Sequence, residues 1–147
     1  MADENEFEGA SPQIAARLAS LAGKRVLLVE DHPLNTEIAR KLLEREKMLV
    51  EDTANGKEAV ERFEASETGY YDAILMDIRM PVMNGLDAAK AIRALPRPDA
   101  ATVPIIAMTA NAFDEDVKTT LESGMNAHLS KPIEPNVMYD TLSRFIK

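Results

Sequence analysis

Several residue types that mark other protein classes are absent or scarce in this sequence of 147 residues. It contains no cysteine, which excludes disulfide frameworks, thiolate metal sites and cysteine nucleophiles. Tryptophan is absent and aromatic residues make up only 5%, so the core must be mostly aliphatic. No apolar run approaches the roughly 20 residues that span a bilayer, and the start of the chain lacks the features of a signal peptide. We therefore expect a cytoplasmic protein without direct membrane insertion.

Basic residues are fewer than acidic ones, 17 against 25. The formal net charge is −8, which argues against non-specific binding to a nucleic-acid backbone. About half of this charge lies near the start of the chain, on Asp3, Glu4, Glu6 and Glu8. The rest of the chain carries an ordinary charge for a soluble domain. We expect no nucleic-acid partner for this chain.

The sequence divides into two regions of different composition. Residues 1–23 combine the acidic tail with a short helical pattern, in which Ser11 is a suitable N-cap and Pro12 follows it. We interpret this region as a tail and a linker helix, with the continuation of a longer signalling helix as the alternative. Residues 24–147 carry the regular apolar pattern of one domain, long enough for a sizeable core.

Five short apolar segments alternate with five amphipathic segments in residues 24–147. The predicted strands are Arg25–Val29, Met48–Thr53, Asp72–Asp77, Val103–Met108 and Ala127–Ser130. The predicted helices are Leu34–Lys47, a second helix opened by Asn55-Gly56, Leu86–Leu95, Asp114–Ser123 and Asn136–Ile146. This alternation predicts an α/β fold of three layers, in which a doubly wound, five-stranded parallel sheet has helices on both faces.

The apolar spacing also predicts which helix residues face the sheet. In the first helix, we expect the inward residues to be Leu34, Ile38, Leu42 and Leu43. In the fifth helix, we expect them to be Val137, Leu142, Phe145 and Ile146.

Polar residues stand where the central strands end. Glu30 and Asp31 follow the first strand, Asp77 ends the third, Thr109 follows the fourth and Lys131 follows the fifth. Because the carboxyl ends of parallel strands share one edge of the sheet, these side chains should meet there. Asp77 alone would fit a turn residue or a helix cap equally well. Clustered carboxylates favour Mg²⁺, and an ammonium and a hydroxyl beside them are suited to phosphoryl transfer.

Four short motifs in the sequence resemble those of one family. They are Val29-Glu30-Asp31, the segment MDIRMPVMNG at residues 76–85, Met108-Thr109-Ala110 and Ser130-Lys131-Pro132. Each motif is weak alone, but all four occur in order at predicted strand ends. Residues 24–147 therefore resemble the response-regulator receiver domain of two-component signalling. The resemblance implies a flavodoxin-like sheet with strand order 2-1-3-4-5.

The resemblance further implies a chemical role for the acidic residues. Asp77 would accept a phosphoryl group from a phosphohistidine on a histidine kinase or a histidine phosphotransfer protein. Asp31, Asp77 and the backbone carbonyl of Arg79 would bind Mg²⁺ directly, while Glu30 would act through a metal-bound water. A domain of this family also takes part in catalysing its own phosphorylation and dephosphorylation.

The resemblance assigns the remaining residues to a switch. Lys131 would pair with the phosphoryl group, with a cis bond to Pro132 as one option, and Thr109 would move towards it. The family often has Tyr or Phe three residues before the lysine, where this sequence has His128. Either His128 fills the aromatic slot, or it changes the coupling to Thr109 and makes that coupling depend on pH.

The switch would reshape the surface formed by the fourth helix, the fifth strand and the fifth helix. Phe113, Val117 and Leu121 should belong to this surface together with His128. A homodimer through the same surface is an option that the resemblance leaves open.

Other functions remain to be weighed against a phosphorylated receiver. A haloacid-dehalogenase-type phosphatase also uses a strand-end aspartate, but it needs a second aspartate where this chain has Arg79. A receiver-like module that is not phosphorylated would usually lack one of the acidic residues or the lysine. A flavin carrier would need a phosphate-binding loop in place of Glu30-Asp31. The helix before the domain and the segment Leu129–Ile133 favour the terminal receiver of a hybrid sensor histidine kinase over a single-domain regulator.

Overall fold

A computed structural model describes residues 20–110 and 114–146, with side chains described outside 114–117. The strands are β1 (Arg25–Val29), β2 (Leu49–Thr53), β3 (Ala73–Asp77), β4 (Ile105–Thr109) and β5 (Ala127–Ser130). The helices are α1 (Pro33–Arg45), α2 (Gly56–Ala65), α3 (Gly85–Arg93), α4 (Asp114–Glu122) and α5 (Pro135–Phe145), with a short 3-10 turn at Pro98–Ala100. The acidic tail and most of the predicted linker helix lie outside these residues.

The five strands form one parallel sheet in the order β2-β1-β3-β4-β5. This order and the helices on both faces confirm the predicted flavodoxin-like fold. Every residue of β3 and of β4 is buried, as expected for central strands covered on both faces. In the described ranges, no helix has the length and apolar character needed to cross a membrane.

Two apolar clusters fill the space between the sheet and its helices. One face of the sheet packs against buried residues of α1 and α5, such as Leu43 and Leu142. The other face packs against buried residues of α2 and α3, such as Phe63 and Ile92. Leu21, before β1, is fully buried in the first cluster. The division of the chain at residue 24 stays a prediction.

The prediction for α1 was wrong at two positions. Leu34 and Ile38 are 59% and 47% exposed, whereas Ala39 and Leu43 are buried. Asn35 and Thr36, which precede the buried stripe by one turn, donate hydrogen bonds to Glu30. These polar contacts fix the rotation of the helix about its axis and turn its first apolar residues outward.

A similar correction applies to α5. Val137 is 53% exposed, while Met138 and Leu142 are buried. The hydroxyl of Tyr139 donates a hydrogen bond to the carbonyl of Leu42 on α1 at 2.6 Å. This bond ties one face of α5 to α1, so the side chain two residues earlier points to solvent.

Arg97 holds the end of α2 against the 3-10 turn. Its guanidinium lies 4.6 Å from the centre of the Phe63 ring and donates to the carbonyls of Phe63 and Ser66, both at 2.8 Å. It also forms a two-point ion pair with the carboxylate of Asp99. One side chain therefore adds hydrogen bonds to two carbonyls at the C-terminus of α2, where carbonyls have no partners within the helix.

We predict that Arg97→Lys lowers the free energy of unfolding by about 1–3 kcal/mol, because an ammonium cannot reproduce the planar, multi-point contacts of a guanidinium. Urea denaturation would measure the change. Arg62→Lys is the matched control on α2, since Arg62 is 47% exposed and should cost much less. Equal losses in the two variants would contradict the prediction.

Candidate functional site

The polar residues at the carboxyl ends of the strands form one site. Glu30 follows β1, Asp77 ends β3, Thr109 ends β4 and Lys131 follows β5. Strand register brings these ends level, because Val29 is paired with Met76, Asp77 with Met108, and Thr109 with Ser130. The amide of Lys131 also donates to the carbonyl of Thr109 at 2.8 Å.

The ammonium of Lys131 bridges two carboxylates. Its Nζ lies 3.1 Å from Oε2 of Glu30 and 3.2 Å from Oδ1 of Asp77. The side chains of Glu30 and Asp77 are only 2% and 7% exposed, and that of Lys131 is 21% exposed. The shielding from water strengthens these interactions beyond those of surface ion pairs. The peptide bond between Lys131 and Pro132 is cis.

Three carboxylates lie close enough to bind one metal ion. Oxygen atoms of Glu30, Asp31 and Asp77 all lie within 4.8 Å of one another. Asp31 is exposed, whereas the other two are buried. An all-oxygen donor set that is open to water on one side fits Mg²⁺, which keeps several water ligands.

Burial raises the pKa of the Asp77 carboxyl from its ordinary value of 3.8 to about 7. A hydrogen bond and the negative charge of Glu30 act in the same direction, while Lys131 opposes them. Burial also raises the pKa of Glu30, but hydrogen bonds with Asp77, Asn35 and Lys131 outweigh burial and lower it overall. Without metal, the pair therefore holds about half a proton at pH 7, mainly on Asp77, and close to one proton at pH 5.

Arg79 and Thr109 share a groove beside the loop that follows Asp77. Both line a groove of about 490 Å³ together with residues of the loop between β3 and α3. Arg79 itself is exposed. The loop is tight where it meets α3, because a Cβ on Gly85 would overlap the carbonyl oxygen of Asp77. The glycine of the MDIRMPVMNG segment thus permits the backbone of Asp77 to pack directly against the start of α3.

His128 lies half-buried on β5, paired with Ala107. Side chains two residues apart on a strand share a face, so His128 and Thr109 lie on the same face of neighbouring strands. Leu121 is on α4 and is 54% exposed. Phe113 and the side chain of Val117, which were predicted for the same surface, lie outside the described residues.

One residue of the site escaped the sequence analysis. The side-chain amide of Asn35 on α1 donates to Oε1 of Glu30 at 2.9 Å. A polar residue on the inward face of a helix that follows an acidic pair was the available signal. It was hidden because the apolar spacing of α1 suggested a different inward face.

A parallel sheet of this order, with three carboxylates and a lysine at one edge, defines the receiver class of signalling domains. The chain belongs to the response regulator receiver domain family, whose family model matches residues 26–143. It is a receiver domain of phosphorelay signalling. Membership of this family favours the receiver over the phosphatase and flavin-carrier alternatives.

Several sequence relatives are histidine kinases that are much longer than this chain. The chain is 35% identical over 122 residues to hybrid signal transduction histidine kinase I of Dictyostelium discoideum, a match covering 82% of this chain and 7% of the kinase. It is 38% identical over 124 residues to the osmosensing histidine protein kinase SLN1 of Saccharomyces cerevisiae, covering 82% of this chain and 10% of that protein. The chain therefore spans a small part of the relatives it matches.

Two solved structures of receiver domains are similar to this chain. The receiver domain of sensor histidine kinase PA1611 from Pseudomonas aeruginosa, with magnesium coordinated in its active-site cleft, is 40% identical with a TM-score of 0.76, over 84% of this chain and 98% of that one. The receiver domain of Ssk1 from Saccharomyces cerevisiae, crystallised with the histidine phosphotransfer protein Ypd1, is 31% identical with a TM-score of 0.75, over 84% and 89%.

Proposed function

We propose that Asp77 is the phosphoacceptor of this receiver domain. The observation that carries the proposal is the contact of the Lys131 ammonium with Asp77, at 3.2 Å, inside a cluster of three carboxylates. A buried carboxylate with a cation beside it is poised to attack phosphorus, because the cation can stabilise the oxygens of the transferred group.

Mg²⁺ is the proposed cofactor. Glu30, Asp31 and Asp77 offer the oxygen donors, and we assign the carbonyl of Arg79 as a further ligand by the family resemblance. When bound, the ion supplies positive charge that neutralises the carboxylates and the phosphoryl oxygens. The relative with magnesium in its active-site cleft supports this assignment.

Side chains of this chain carry out the transfer of the phosphoryl group and respond to it. A carboxylate oxygen of Asp77 forms a bond to phosphorus as the bond from phosphorus to the donor's imidazole nitrogen breaks, and the imidazole leaves with that electron pair. Lys131 pairs with the new phosphoryl oxygens, and the hydroxyl of Thr109 donates to one of them. The proposed switch passes from Thr109 to His128 and to the surface of α4, β5 and α5, where a homodimer is a further proposal.

The proposed donor is a phosphohistidine on a histidine kinase or a histidine phosphotransfer protein, and the proposed parent is a hybrid histidine kinase. Two observations support a protein donor. The Ssk1 receiver is seen with Ypd1, and this chain exposes Leu34 and Ile38 on the first two turns of α1, directly after Asp31. An apolar pair beside an acidic pocket suits the docking of a helix that carries the histidine.

Ile38→Asp should lower the rate of transfer from phosphorylated Ypd1 by about 10-fold or more, because it places a charge in the apolar contact. The rate at which the Ile38→Asp variant takes up a phosphoryl group from a small-molecule donor should stay unchanged. Leu49→Asp is the matched control, since Leu49 is exposed to the same extent as Ile38 but starts β2, at the edge of the sheet opposite the acidic site. An equal loss in both variants, or a loss with the small donor, would contradict this docking surface.

The phosphoacceptor assignment is tested by incubation with acetyl phosphate across a Mg²⁺ titration. Intact-mass analysis should show one added phosphoryl group that requires Mg²⁺ and is released by hydroxylamine, as an acyl phosphate is. Peptide mapping should locate it on Asp77. Labelling at another residue, or labelling that does not depend on Mg²⁺, would refute the assignment.

A further inference from the structure

The N-terminus of α2 packs directly on the loop that follows Asp77. The amide of Gly56 donates to the carbonyl of Met83 at 3.0 Å. A Cβ at Gly56 would lie 2.5 Å from that oxygen, 2.9 Å from Cβ of Ala88 and 3.0 Å from the carbonyl oxygen of Asn84. Any side chain at this position must therefore push the loop away from α2.

The loop has little freedom to absorb such a push in its second half. Proline fixes φ at Pro81. Val82 has a φ of +69°, and the amide of Met83 donates to the carbonyl of Pro81 at 2.7 Å. These two features form a tight three-residue turn that a β-branched residue adopts only with strain.

The end of the loop is also fixed. The side chain of Asn84 caps α3 by accepting from the amide of Asp87. The amide of Gly85 donates to the carbonyl of Ile78 at 2.9 Å. The amide of Ile78 is also held, by the carbonyl of Met108 at 3.2 Å. A displacement of Met83 must therefore be taken up by residues 79 and 80, which lie close to Asp77 and include the proposed metal ligand at Arg79.

We propose that Gly56 is a positioning residue for the phosphorylation site, acting through the carbonyl of Met83. The inference rests on the proposed function of Asp77. Because Gly56 leaves room for this carbonyl, α2 holds the loop where the backbone of residues 77–79 has the geometry needed for metal binding and phosphoryl transfer.

The test is Gly56→Ala in the full chain, with calorimetric titration of Mg²⁺ alone and the rate of uptake from acetyl phosphate at saturating Mg²⁺. We expect about a 10-fold loss of Mg²⁺ affinity and a fall in uptake rate of about 10-fold or more. Phe63→Leu is the control, because Phe63 is a fully buried residue of the same helix. It should lose stability and keep wild-type Mg²⁺ affinity and rate.

A second variant separates positioning from simple destabilisation. Val82→Gly, added to Gly56→Ala, lets the backbone at residue 82 change its torsion angles without strain. The double variant should therefore recover the Mg²⁺ affinity and the uptake rate of wild type to within about threefold. If Gly56→Ala alone does not fold, the double variant is used to test the proposal instead. Failure of the double variant to fold would overturn the proposal. Wild-type Mg²⁺ affinity and rate in a folded Gly56→Ala would also overturn it. Failure of the wild type to take up phosphate would instead refute the proposed function.

Discussion

Asp77→Asn should abolish phosphoryl uptake and, without metal, make the fold more stable than the wild type at pH 8. The amide has no nucleophilic oxygen, and it removes the repulsion between two buried carboxylates. At ~1.4 kcal/mol per tenfold change in proton affinity, raising the pKa of Asp77 from 3.8 to about 7 costs on the order of 4 kcal/mol. We expect a gain of about 2–4 kcal/mol in the free energy of unfolding, measured with urea.

The stability of the metal-free wild type should fall as pH rises. The pKa of Asp77 is higher in the folded state, so its contribution to stability is fully present below pH 3.8 and is lost as pH rises through about 7. Metal-free wild type should therefore weaken between pH 5 and pH 8, while Asp77→Asn should show a flatter profile. Added Mg²⁺ should stabilise the wild type more than the variant.

Asp87→Asn is the control for loss of a carboxylate, because Asp87 is an exposed residue in the first turn of α3. It should change stability by less than about 1 kcal/mol and leave uptake unchanged. An Asp77→Asn variant that is no more stable than wild type at pH 8 would count against a tight cluster of charges.

Lys131→Ala should slow uptake from acetyl phosphate by roughly 10²–10³-fold, because it removes the cation that stabilises the transferred group. It should also destabilise the metal-free protein at pH 8 by on the order of 2 kcal/mol, since Glu30 and Asp77 lose their shared counter-charge. The loss of stability should shrink at pH 5, where Asp77 is protonated. The time course of phosphoryl uptake measures the effect on rate, and urea denaturation measures the effect on stability.

Two further substitutions serve as controls for Lys131→Ala. Lys118→Ala removes an ammonium that is 80% exposed and should change neither rate nor stability appreciably. Lys131→Arg keeps the charge but changes its shape, so it should retain part of the stability and lose most of the rate. A rate for Lys131→Ala close to wild type would refute its proposed role.

Strand positions were predictable because they depend on short apolar runs that the chain order makes nearly unambiguous. The segment Ile105–Met108 is apolar at every position and bounded by Pro104, so only a buried central strand suits it. The convergence of Glu30, Asp77 and Lys131 followed from the same reasoning, since parallel strands share one carboxyl edge.

The orientation of helices was less predictable, because it depends on contacts between distant side chains. Leu34 and Ile38 fit an apolar stripe, yet the bond from Asn35 to Glu30 turns them outward. The role of Arg97 was also hidden. Its carbonyl partners lie 31 and 34 residues away, and no local pattern marks such a contact.

The contact between Lys131 and Glu30 joins residues 101 positions apart. A chain still emerging from the ribosome therefore holds its acidic residues long before the lysine that neutralises them is available. Until β5 docks beside β4, the nascent domain lacks the cation that we propose stabilises the transferred group. Under the proposed function, fast uptake of a phosphoryl group would therefore begin only when the sheet is complete, and labelling of Asp77 would report that stage of folding during synthesis.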